Sequence, residues 1–263
     1  MEQEDQNLLC DYCGVVFAKY RRDPEAQPEG RSEPMPGAPP ISNEPRVTVY
    51  APPARRVAAW LGERLFAVQP VHGIAVGGRA LLLAFLAVWG VRLIATTIEG
   101  NGAGQSFLHL VNLPFHEAGH VFFTPFGDFV RTLGGTLGQL TMPLVCCLTL
   151  LLKTRDPFGA GAALWWFGEN FLDIAPYIDD AGTGELPLLG GNTGESTPYG
   201  FHDWEYLMTE TGRLGQEHAL ARTSHALGST IMVLALTWMA VTLYRAWSRG
   251  RATAVSETRR NAA

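Results

Sequence analysis

Hydrophobic and polar positions divide the chain sharply near residue 75. Up to about Ala75 the residues are polar, charged and proline-rich; beyond it, long apolar runs alternate with polar connections. Ala80 to Ile98 (ALLLAFLAVWGVRLIATTI) carries one charge, Arg92, and has the roughly 20-residue length that crosses a bilayer as a helix. Leu133 to Leu152 carries no charge, and Ser229 to Trp247 ends on Arg245, ahead of SRGR. Phe158 to Ile178 is tryptophan-rich and turns polar in its C-terminal half. Phe107 to Phe126 is apolar but interrupted by two histidines and a glutamate. This succession predicts an all-α, polytopic helical membrane protein with four to five apolar segments, its membrane domain covering residues 78–247. The basic residues 248–263 and Arg79 place both termini on the cytoplasmic side, and the acidic loop Asp179 to Glu217 on the other. Two termini on one side require an even number of crossings. Four result if Phe107 to Phe126 dips in and returns, a path that Pro114, Pro125 and Gly127 allow.

Three shorter pieces precede that domain. Residues 54–68 place Val57, Trp60, Leu61 and Leu65 at helical spacing among Arg55, Arg56, Glu63 and Arg64, which predicts an amphipathic helix at the membrane interface. Residues 22–53 are rich in proline, glycine, serine and glutamate and predict a disordered linker. Residues 1–21 contain Cys10 and Cys13 as C-x-x-C followed by Gly14, a knuckle resembling half of a zinc ribbon. A full ribbon needs a second pair, and Cys146 and Cys147 sit side by side inside an apolar run. A zinc shared between two chains in a homodimer, a degenerate knuckle and a free dithiol all remain open.

Only 17% of the 263 residues are charged, against about a quarter in soluble domains. The net charge of −5 lacks the basic face of a nucleic-acid binder. The acidic start MEQEDQNLL is unlike a secretory signal. The partners to expect are the lipid bilayer and a membrane-protein substrate, with no nucleic acid.

The interrupted run holds the chemistry. His116-Glu117-Ala118-Gly119-His120 is H-E-x-x-H, and on a helix residues four apart share a face, so both imidazoles point at one spot. Two histidines can hold Zn²⁺ while Glu117 reaches a water beside it as the catalytic base. A third ligand must come from another helix. In GENFLDIAPYIDDA, from Gly168 to Ala181, the residues Asn170, Asp173, Tyr177 and Asp180 share one helical face. Asp173 is flanked by apolar residues, where a lone carboxylate is costly and a metal neutralises it, so it is the favoured ligand, with Asn170 and Tyr177 in support. Asp180, Asp179 and His202 are its rivals. His202 and Asp203, in YGFHDWEYLM, stand in the external loop and can cap or complete a site opening there. Pro114 is expected to take His109 out of register with His116.

These motifs resemble the site-2 protease family of intramembrane zinc metalloproteases. HEAGH lies in an apolar segment, and Asn170, Pro176 and the Asp179-Asp180 pair echo the family's later motif, although its Leu-Asp-Gly phrase is absent. FHEAGH with a later HDW also resembles a group of uncharacterised bacterial membrane proteins. The resemblance implies zinc on His116 and His120, Glu117 as base, a bacterial inner-membrane location and hydrolysis of a peptide bond in a membrane-tethered protein. Taken literally, it makes Asp179 or Asp180 the third ligand. The alternative is a non-proteolytic membrane protein with a structural zinc, or one that hydrolyses another substrate such as a lipid headgroup.

Overall fold

Backbone polar groups that enter a bilayer must be paired within their own segment, and among the described residues the chain forms helices and no strand. The structure is a computed structural model that describes residues 53–67 and 73–261. The Cys10 and Cys13 knuckle and the proline-rich linker up to residue 52 lie outside the described residues. Helix α1 spans Pro53–Leu65, α2 Gly73–Ala95, α3 Phe107–Phe123, α4 Asp128–Leu152, α5 Pro157–Asp179, α6 Asp203–Glu210 and α7 Glu217–Asn261. Three of these are long and apolar enough to cross a membrane: α2, α4 and the Glu217–Ala252 part of α7. Only 11% of the apolar window of α2 is buried inside the protein, so its surface suits contact with lipid. These three helices are consistent with an integral membrane protein.

Helix α5 is the centre of the bundle and touches α2, α4 and α7. Its Phe158, Trp165 and Leu172 form one core with Leu86 and Leu93 of α2 and Met232, Ala235 and Met239 of α7. The α5–α7 contact is close because small residues meet there: a Cβ on Gly228 would lie 2.4 Å from the Gly168 carbonyl oxygen. The same device joins α3 to α4. A Cβ on Gly119 would lie 2.0 Å from the carbonyl oxygen of Gly134, and one on Gly138 2.3 Å from that of Phe115.

Helix α3 is too short and too polar to count among the crossing helices. Asn101 and Gln105 before it, His109, His116 and His120 along it, and Asp128 and Arg131 after it line a single cavity. Pro114 lies inside α3 without interrupting it. At the opposite end of the bundle, α1 docks where α4 finishes: Arg64 donates to the Leu152 carbonyl at 2.5 Å, and Trp238 of α7 to that of Leu65 at 2.8 Å. Arg79 pairs with Asp156 at 3.2 Å there. Most of the basic residues 248–263 continue α7, which runs as far as Asn261 and meets no proline there.

Candidate metal centre

The glycine seam sets the site. It brings α4 against the face of α3 that carries His116 and His120, whose ring centroids lie 4.8 Å apart. His116 Nδ1 meets Gln139 Oε1 of α4 at 2.8 Å, and His120 Nδ1 meets the Arg131 carbonyl oxygen at 2.9 Å. A carbonyl can only accept, so His120 carries its proton on Nδ1, and the Gln139 oxygen selects the same tautomer in His116. Both Nε2 atoms are thereby left for another purpose. They converge on one carboxylate oxygen, Asp203 Oδ2, at 2.9 Å from His116 and 3.2 Å from His120. Ligand atoms from the three residues all lie within 4.8 Å of one another.

Asp203 arrives from outside the bundle, at the first residue of α6. His202 caps this helix by accepting the Glu205 N–H on Nδ1 at 3.1 Å, and its Nε2 donates to Asp180 Oδ2 at 3.3 Å. The His202 ring packs on Tyr177 at 4.3 Å, and the Tyr177 hydroxyl oxygen accepts the Asp203 N–H at 3.0 Å. Burial pushes the His202 imidazole below its ordinary value, against the charges of Asp180, Asp203 and Glu205. Burial alone would push the Asp203 carboxyl up. His116 and His120, when both ring nitrogens carry protons, outweigh it through hydrogen bonds and charge and hold Asp203 below the usual carboxylate range.

Two neutral imidazoles cannot donate from Nε2 while Nδ1 holds the proton. The trio therefore needs extra protons or a cation between its members. Space for a cation exists because Gly135 faces it: a Cβ there would lie 2.5 Å from both Nε2 atoms. The residues fit a metal. The cavity beside them has a volume of about 1080 Å³ and is lined by Glu117, Tyr177 and Arg131 together with Leu113, Ile174 and Phe201.

His116, Glu117 and His120 are thus brought together as the H-E-x-x-H spacing predicts. The carboxylate brought to the histidines is Asp203, and the favoured Asp173 is held elsewhere. Asp173 accepts from His109 Nδ1 and from Asn112 Nδ2, both at 2.9 Å. Its apolar surroundings do demand compensation, but an amide and an imidazole supply it. Asp180 orders the loop after α5, accepting from the Glu185 and Leu186 amides at 2.8 and 3.0 Å. Asp179 pairs with His218 at 2.7 Å, and His202 serves as the cap of α6. Asn170 donates to Asn112 Oδ1 at 3.3 Å and to the Trp166 carbonyl at 3.0 Å. Gln139 and Gly135 have no counterpart in the sequence reading, whereas Asp203 was visible in it beside His202. No family model, curated protein or solved structure matches the chain.

Proposed function

We propose that the chain is a membrane-embedded zinc hydrolase in which His116, His120 and Asp203 hold the metal and Glu117 is the base. One observation carries this reading: two Nε2 atoms, with their Nδ1 protons already engaged, converge with a carboxylate on a space that Gly135 leaves free. Structural zinc sites are usually closed by four protein ligands, whereas catalytic ones use three and keep a position open. Here the open side is the cavity that Glu117 lines. A zinc ion held there supplies Lewis acidity to a water and to a carbonyl oxygen. Glu117 takes the proton of the attacking water and returns it to the departing amine. Tyr177, its oxygen occupied by the Asp203 N–H, keeps its own proton to donate toward the cavity. Apolar walls beside a polar floor suit a peptide bond in a membrane-tethered protein; a lipid headgroup is the second reading that the same walls support.

Elemental analysis of the full chain in detergent tests the metal. In a Cys10→Ser, Cys13→Ser background, one zinc per chain is expected. It is lost in His116→Ala with His120→Ala and in Asp203→Ala, and kept in Asp173→Ala. Unchanged zinc in the Asp203 variant refutes the ligand set. Glu117→Gln keeps the zinc. In expressing cells it abolishes new peptide termini in membrane proteins, or the release of water-soluble headgroups if the substrate is a lipid. If neither readout depends on Glu117, the chain is not a hydrolase of these classes.

A further inference from the structure

Asn112 is 1% exposed and makes four hydrogen bonds at the heart of the helical bundle. The Trp166 indole N–H, which can only donate, meets Asn112 Oδ1 at 2.8 Å and fixes the amide's orientation. Both N–H groups of Asn112 therefore face carboxylates, Glu169 Oε2 at 3.1 Å and Asp173 Oδ2 at 2.9 Å. Asp173 also has His109 on its other oxygen. Glu169 has nothing comparable: it is 0% exposed, and its second oxygen, Oε1, has no partner. The Oδ1 of the neighbouring Asn170, also fully buried, is a second acceptor without a donor.

We propose that Glu169 and Asp173 form a proton-binding site inside the membrane domain, with the proton on Glu169, and that His109 connects it to the cavity of the candidate metal centre. Two carboxylates bonded to one nitrogen repel each other strongly away from water, and leaving both ionised is costly. A proton on Oε1 removes one charge and turns the orphaned acceptor into a donor. A metal cation fits poorly. The Asn112 N–H groups repel it from Oε2 and Oδ2, leaving two unpartnered oxygens where hard cations take six or more. The charged or titratable groups in contact with the pair are each other and His109 of α3; among the described residues, no Lys or Arg makes an ion pair with either. His109 and Asp173 both line the cavity, which gives the proton its route of exchange with water.

Infrared spectroscopy of the full chain, in H₂O and D₂O and in an ester-free detergent, tests this without reference to the metal. At neutral pH the wild type shows the carbonyl stretch of a protonated carboxylic acid, shifted by deuteration. Glu169→Gln, the neutral isostere, loses that band and keeps the wild-type thermal midpoint. Asp173→Asn keeps the band but loses it on a titration displaced to lower pH by about one unit or more, because the neighbouring charge is gone. An absent acid band in the wild type at neutral pH overturns the proposal. So does a band that appears only when sodium is withdrawn, which would make the site a cation site. An unshifted titration in Asp173→Asn overturns the sharing.

Discussion

Replacing Gly135 by alanine adds one methyl group at the point where the candidate metal centre has no room for it. The new Cβ would lie 2.5 Å from both histidine Nε2 atoms and 2.7 Å from His116 Cε1. Comfortable carbon contacts begin near 3.5 Å, so the overlap is about 1 Å with each ring. Helix α4 could make room only by drawing away from α3, which would open the backbone-to-backbone seam at Gly119, Gly134 and Gly138. Both imidazoles must turn, and turning breaks the bonds to Gln139 and to the Arg131 carbonyl. Losing one such supporting bond typically lowers metal affinity 10- to 100-fold; losing both, with the space itself, gives a loss of at least about 100-fold, or about 2.8 kcal/mol. Intrinsic helix propensity acts the other way, favouring alanine by about 1 kcal/mol, so α4 itself is not weakened. Zinc competition against a chromophoric chelator measures the affinity, and thermal unfolding with chelator present separates it from folding. Wild-type zinc affinity in Gly135→Ala would refute the placement of the ion between the two Nε2 atoms.

Two further outcomes follow from the same geometry. Gln139→Leu removes the Nδ1 partner of His116 and lowers zinc affinity about 10- to 100-fold, whereas a similar affinity in variant and wild type would show that the amide does not orient the ring. His202 has a folded pKa below its unfolded value of about 6.5, so its contribution is fully present above that pH and is lost as pH falls through the folded value. Amide-exchange protection of α6 should therefore decline on acidification below about pH 6.5; flat protection down to about pH 5 contradicts the cap.

Much of this architecture is legible in the sequence because bilayer thickness imposes one length on every crossing helix. Uninterrupted apolar runs mark α2, α4 and the membrane part of α7 directly. The two polar histidines and the glutamate set α3 apart from those runs, and it is not among the helices long and apolar enough to cross. The carboxylate beside the histidines is harder to read. Asp173 satisfies a local criterion, a charge in an apolar setting, yet its hydrogen-bond partners are His109 and Asn112, seven and four residues before His116. His109 stays on the right face because Pro114 leaves α3 unbroken, which reverses the expectation drawn from that proline. Asp203 carries no apolar signature, since it becomes buried only when α6 folds back over Tyr177 and against α4 of the bundle. Its one sequence signal is its place after His202, at a helix start rich in acids. Gln139 and Gly135 are set by the α3–α4 register, whose sequence signal is the G-x-x-x-G spacing of Gly134 and Gly138 and not an apolar or charged pattern.

Placing the third carboxylate on α6 also sets a timetable for the nascent chain. His116 and His120 leave the ribosome with α3 and wait while α4 and α5 are made. During that interval they have their supporting acceptors, once α4 arrives, but no Asp203. Maturation of the centre is accordingly one of the last events in biogenesis, and a chain truncated before residue 203 keeps the HEAGH motif without a completed site.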